Sequence, residues 1–373
     1  MATASSSTAA ISPTQGRFLR IVKRVLLGIV ILVIAALICG ALYQAIANWR
    51  DSRRFPQEGR SVALGAAFPG VSLSMNCTGQ GSPTVIMDTG LGVPAVGWDF
   101  VQPEVAKFAR VCSYDRAGYG WSTAGPMPRT SGEIAKELHA LLQASGEKGP
   151  YVLVAHSFGG YNARVYTKEY PADVAGMVLV DTSHEDQNHR MPGSLKNFMK
   201  KQQEQMETQR KIAPYLMFFG VARLMSKDDD PTGKLPKDFV RELTYLMMQP
   251  KFVDATASEI GSFDASALEV KAAGNLGDRP LVVLTAGKSA DPKNLPPGIE
   301  KSDLEELQKL WINDLQVQET HLSTRGRQQV VADSTHMIPF ERPDTVIGAI
   351  REVCDAVKAQ AATPTVSATT AKP

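Results

Sequence analysis

The stretch "AHSFGG" (155–160) places a serine between a run of apolar residues, "YVLVA" (151–155), and a helical pattern that begins with "GGYNARVY". A buried strand that turns sharply into a helix at a serine is the context of a nucleophile elbow, spaced G-x-S-x-G. Here Ala155 holds the first glycine position, a difference of one methyl group, while Gly159 and Gly160 still permit close approach of the helix. A serine hydroxyl is a weak nucleophile near neutral pH and needs an imidazole within hydrogen-bond reach. His336 is the best placed of the six histidines, in a loop between the strand pattern "RQQVVADS" and a helix that starts near Pro343. His156 adjoins the serine, but a side chain beside an elbow residue points away from it, so local packing or hydrogen bonding is expected. An aspartate must then orient the imidazole. Asp181 closes the apolar run "GMVLVD" (176–181), and Asp291 in "GKSADP" is the alternative. With Ser157 attacking a carbonyl, His336 moving the proton and the aspartate holding the imidazolium, the chemistry is acyl transfer. The oxyanion needs donors, and the glycine-rich turn "MDTGLG" (87–92) and the elbow offer the backbone N–H groups of Leu91 and Phe158.

These residues need a frame that brings strand ends together. Short β-rich runs at "VSLSMNC" (71–77), "TVIMDTG" (84–90) and "RVCSYD" (110–115) are followed by "SGEIAKELHALLQAS" (131–145), where Ile134, Leu138, Leu141 and Leu142 recur at helical spacing. The later apolar runs, at 151–155, 176–181, 280–287 and 327–334, are continuous rather than alternating, as in strands buried on both faces. The pattern predicts an α/β protein with a mainly parallel sheet and helices on both faces. Between Asp181 and Pro280 the alternation gives way to helical patterns, too long for an ordinary loop. Residues 185–275 are therefore expected to form a helical cap over the carboxyl edge of the sheet. Within it "PYLMFFGVARLM" supplies Met217, Phe218 and Phe219 as candidate walls of an apolar substrate pocket, together with Trp98.

Ahead of this body lies "VLLGIVILVIAALICGALYQAIA" (25–47), uncharged and long enough for a helix to cross a bilayer. It predicts a single-pass anchor, preceded by a disordered basic tail (1–24) and joined to the body by a linker (48–69). The catalytic core is expected over 70–184 and 276–358, and the Ala-, Ser-, Thr- and Pro-rich end (359–373) as a disordered tail. The body is expected on the extracytoplasmic side, although arginines flank the span at both ends. A net charge of +2 with no basic stripe argues against nucleic acid as a partner. Four cysteines without CxxC or Cys/His clusters give no metal site, and no cofactor is implied.

In their order along the chain, "DTGLG", Trp98, "RVCSYDRAGYGWS", "YVLVAHSFGGYNARVY", "GMVLVDTSHED" and "STHMIPFERPDTV" resemble the α/β-hydrolase superfamily, in its serine-nucleophile branch of bacterial esterase-like enzymes. The resemblance covers roughly residues 70–358. Two departures are Ala155 and the "DTG" that replaces the usual His-Gly of the oxyanion turn. Many members carry the acid three residues beyond the glycine of the strand represented by "PLVVLTAG", where this chain has Ala290, while some carry it at the position of Asp181. The resemblance treats Asp115 and Arg116 as structural, and its sheet order makes the strands of Cys77 and Cys112 neighbours, either bridged or as two buried thiols. It implies hydrolysis of a small-molecule ester with an apolar acyl or alcohol part. A lipase, a carbon–carbon bond hydrolase, an acyltransferase or a non-catalytic ligand sensor on the same fold are the alternatives.

Overall fold

A computed structural model describes residues 13–226, 230, 233, 235–289, 295 and 297–362, with side chains from residue 18 onward. Eight strands form one sheet: β1 Arg60–Ala63, β2 Ser72–Thr78, β3 Thr84–Asp88, β4 Val111–Tyr114, β5 Tyr151–His156, β6 Val174–Val180, β7 Leu281–Ala286 and β8 Gly326–Val331. Their order is β1-β2-β4-β3-β5-β6-β7-β8. The β1–β2 and β2–β4 pairs are antiparallel and all later pairs are parallel. The serine strand β5 lies at the centre of the parallel part, between β3 and β6.

The continuous apolar runs resolve into two faces with the period of two that a strand imposes. Ile86, Leu153, Ala155, Met177, Leu179 and Val283 point to one side, against Ile134, Leu138, Leu141 and Leu142 of the crossover helix Ser131–Ser145 and against the elbow helix Gly159–Glu169. Val85, Val152, Val154, Val178, Val180 and Leu284 point to the other, against Val346, Ile350 and Val353 of the closing helix Pro343–Ala362. Both layers being fully buried, each strand end is fixed in register. The crossover helix starts at Thr130, whose hydroxyl accepts the Glu133 amide, and stops at Gly146 in the left-handed conformation (φ 75°).

Between β6 and β7 the chain makes the expected helical excursion, chiefly Gly193–Phe218, Val221–Met225, Lys237–Met247, Pro250–Gly261 and Phe263–Lys271. The boundaries expected at the two ends need correction. The N-terminal helix runs from Pro13 to Arg54, so the basic residues 13–24 extend the same helix instead of forming a disordered tail. The stretch expected as a linker contains β1, an edge strand whose four residues "RSVA" are too few and too polar to stand out as a sheet element. The closing helix continues to Ala362, past residue 358, and the rest of that tail lies outside the described residues. Cys77 and Cys112 face one another directly across β2 and β4 and are joined by a disulfide.

Candidate active site

At the end of β5 the backbone enters the left-handed region at Ser157 (φ 54°), the turn expected of a nucleophile elbow. The turn is locked to its neighbours by the Ser157 amide donating to the Val180 carbonyl (3.1 Å) and the Ser183 amide donating to the Ser157 carbonyl (3.1 Å). Space behind the serine explains its glycines: a Cβ on Gly159 would come within 2.8 Å of the Asp88 carbonyl, and one on Gly160 within 2.5 Å of Thr182. Ala155, by contrast, points into the packed face of the sheet with no exposure, so its methyl group is accommodated as core.

The aspartate expected to orient the imidazole sits one strand over. Asp181 follows β6, also with positive φ (45°), and is buried. Its Oδ1 accepts the Ala286 amide (2.8 Å) and the Trp311 indole N–H (2.8 Å), while Oδ2 pairs with Nδ1 of His336 at 2.6 Å. Burial pushes this carboxyl up, but the His336 hydrogen bond and charge, the Ala286 amide and the indole outweigh it and hold Asp181 below the usual carboxylate range. An ionised Asp181 fixes the tautomer with a proton on Nδ1, so Nε2 of His336 carries the free lone pair. Ser157 and His336 line the same cleft, with no hydrogen bond between their side chains among the described residues. Such contacts in unliganded sites commonly tighten only when substrate binds. Asp291, the alternative acid, lies outside the described residues.

Two partners of the site were not expected from the sequence. Trp311, in the helical segment between β7 and β8, holds Asp181 from the cleft side. His156 turns away from Ser157, as expected of it, yet its Nε2 bonds the His336 carbonyl (2.9 Å), and the two rings lie 4.7 Å apart. Burial, reinforced by the nearby His336, lowers the His156 imidazole to about 3, so it is neutral and donates its N–H to that carbonyl. No periodic pattern marks either residue, because both contacts join segments more than a hundred residues apart.

Leu91 and Phe158 line the cleft together with Ser157, and among the described residues neither backbone N–H has an acceptor. The cleft has two lobes that share Ser157, Ser183, Gln187 and Met191. One, of about 610 Å³, is walled by Met199, Met206, Ile260 and Phe263 of the cap; the other, of about 650 Å³, by Leu304, Leu307 and Trp311. The expected pocket residues are elsewhere. Trp98 is buried in the core beside Val85 and Met87, and Met217, Phe218 and Phe219 lie at the far end of the long cap helix, away from both lobes. Apolar periodicity alone does not distinguish a side chain facing a cleft from one facing another surface. Arg116 and Asp115 act as braces: Arg116 pairs with Asp88 (2.7 Å) and Glu259 (3.0 Å), and Asp115 accepts the amides of Ala95 and Trp121.

Residues 83–213 match the family described as the alpha/beta hydrolase fold. The chain is 25% identical over 315 residues to "Probable transporter efuK" of Hormonema carpetanum, covering 77% of this chain and 41% of that protein. It thus spans less than half the length of the curated relatives it matches first. Among solved structures, a thermophilic esterase from Thermogutta terrifontis superposes with a TM-score of 0.54 at 22% identity, over 80% of this chain and 98% of that one. The epoxide hydrolase CorEH superposes with a TM-score of 0.56 at 15% identity, over 78% and 98%. The chain has the α/β-hydrolase fold, and its residues 83–213 match the family of that description.

Proposed function

We propose that the protein is a serine hydrolase that cleaves carboxylic esters through an acyl-enzyme. The observation that carries this reading is the 2.6 Å pairing of Asp181 with His336 over the cleft in which Ser157 stands at a strained turn. Structural neighbours with both esterase and epoxide hydrolase activity share the fold, so the choice between them rests on residue 157. A serine hydroxyl, with a neutral imidazole to take its proton, attacks a carbonyl carbon. His336 Nε2 receives the proton from Ser157 and passes it to the leaving alcohol, while Asp181 stabilises the imidazolium. The free amides of Leu91 and Phe158 are suited to hold the oxyanion. Water, activated by the same imidazole, then releases the acid and restores the serine.

The two lobes meeting at Ser157 match the two halves of an ester, and their methionine, leucine and phenylalanine walls favour apolar acyl or alcohol parts. The N-terminal helix, whose apolar run is exposed apart from the side that meets the cap, acts as a membrane anchor. The Cys77–Cys112 disulfide supports a body on the oxidising, extracytoplasmic side. A series of p-nitrophenyl esters of increasing acyl length tests the reading: turnover that rises with chain length and disappears in Ser157→Ala is expected, and absence of turnover on every ester overturns it.

A further inference from the structure

The cap carries a surface that the cleft does not use. The last turns of the long cap helix and the short helix Val221–Met225 present Ile212, Tyr215, Phe218, Leu224 and Met225, each more than half exposed and Met225 at 74%. A cluster of this kind on one corner marks an interaction surface rather than one left to water. The corner does not stand alone, because it packs against the N-terminal helix. Gly40 meets the Phe219 carbonyl so closely that no side chain would fit there, and Gly220, at φ 72°, lies against Gly40 and Tyr43. Close backbone approach through small residues is how helices associate in lipid.

The N-terminal helix also supplies a depth scale. Successive turns beyond Gly40 carry Gln44, Asn48 and Asp51, and these receive Arg223 at 3.3, 3.0 and 2.5 Å, while Arg54 pairs with Asp238 at 2.7 Å. Gly40 lies well inside the apolar run that ends at Ala47, at roughly 10 Å from that end for a rise of about 1.5 Å per residue. Where the apolar run meets water, Tyr43, Arg50, Arg54, Arg223, Arg241 and Tyr245 enclose a cavity of about 500 Å³. Arginine and tyrosine are the side chains that sit at lipid headgroups.

We propose that the cap corner around Phe218–Met225 is a second membrane-embedded element, which enters the hydrocarbon of the leaflet facing the body beside the N-terminal helix. The inference rests on the reading of that helix as a membrane span, and the continuity of the two apolar surfaces at Gly40 commits the corner to the bilayer as its partner. Since the same cap helix lines the cleft with Met199 and Met206, the corner ties the substrate lobe to the membrane and favours amphipathic esters that partition there.

The native cysteines make the test direct, because Cys39 is exposed on the N-terminal helix and Cys354 is buried. Full-length protein is reconstituted in phosphatidylcholine vesicles that contain a phospholipid spin-labelled along its acyl chain. An environment-sensitive fluorophore is placed on Cys39, or, in a Cys39→Ser background, on Phe218→Cys, Leu224→Cys or the exposed Glu204→Cys. Several-fold quenching at Cys39, Phe218→Cys and Leu224→Cys, with none at Glu204→Cys, is expected. Quenching at Cys39 without quenching at the two corner positions overturns the inference while leaving the anchor intact. No quenching at Cys39 overturns the anchor itself, and the inference with it.

Discussion

Asp88 and Asp181 are both buried aspartates at the carboxyl ends of parallel strands in one sheet, yet their surroundings differ in a way that separates scaffold from chemistry. Asp88 is enclosed by the Arg116 guanidinium (2.7 Å), the Tyr114 hydroxyl (2.9 Å) and the Asn162 amide (2.9 Å), and Arg116 is itself only 1% exposed. Burial pushes the Asp88 carboxyl up, and the arginine and the two hydrogen bonds only partly offset it. Asp181 has an equally fixed set of donors on one oxygen, but its other oxygen holds an imidazole whose side chain is half exposed to the cleft. Its carboxyl is held below the usual range. A buried carboxylate whose donors are all rigid can only brace the fold. One that holds a titratable ring facing a cavity can stabilise a charge that appears during reaction.

The sharpest break of this contrast is at the proposed nucleophile. Ser157→Ala should lower ester turnover by about a million-fold, with the melting temperature close to that of the parent protein. Asp181→Asn comes next. It keeps an oxygen for Ala286 and Trp311 but loses the charge that orients His336, and a fall in kcat of about ten-thousand-fold is expected, measured by steady-state kinetics on the same ester.

At the braced aspartate the effect should fall on stability instead. Arg116→Met leaves the Asp88 carboxylate buried without its guanidinium and Glu259 with only the more distant guanidinium of Arg129 (3.9 Å), at a cost of about 3–5 kcal/mol in denaturant unfolding. Its kcat per folded molecule should stay within a few-fold of the parent. Equal damage to kcat and stability would erase the distinction between the two aspartates.

A smaller effect sharpens the role assigned to His156. Its imidazole is held near 3 in the folded protein against an ordinary 6.5, so only the unfolded chain takes up its proton between those values. Stability should therefore fall as pH drops from 6.5 towards 3, by up to about 1.4 kcal/mol per pH unit from this group, with no contribution above 6.5. Urea titrations between pH 7 and 5 should show a shallower decline in His156→Asn. Coincident slopes would mean that the ring protonates within the fold and does not hold the His336 carbonyl as a neutral donor.

Legibility in the sequence followed the range of the interactions. The elbow at Ser157, the crossover helix and the apolar strands are local patterns, and they stand where the sequence reading puts them. The pairing of Asp181 with His336 was legible from its place at a buried strand end, which needs a charged or hydrogen-bonding partner. Trp311 and the His156 contact to His336 were not, since each depends on how distant segments pack. Met217, Phe218 and Phe219 were assigned to the pocket because an apolar cluster in a cap has no periodic signature that distinguishes cleft, core and bilayer. The edge strand β1 was lost in the linker for want of apolar residues.

The central claim is that Ser157 is the nucleophile, made reactive by His336 under the control of Asp181. Reaction of the full-length protein with a fluorophosphonate, followed by proteolysis and mass mapping, tests it most directly. The account predicts a single adduct on Ser157, absent in Ser157→Ala and formed far more slowly in His336→Ala and Asp181→Asn. An adduct on another residue such as Ser183, or labelling of Ser157 at an unchanged rate without His336, would contradict it.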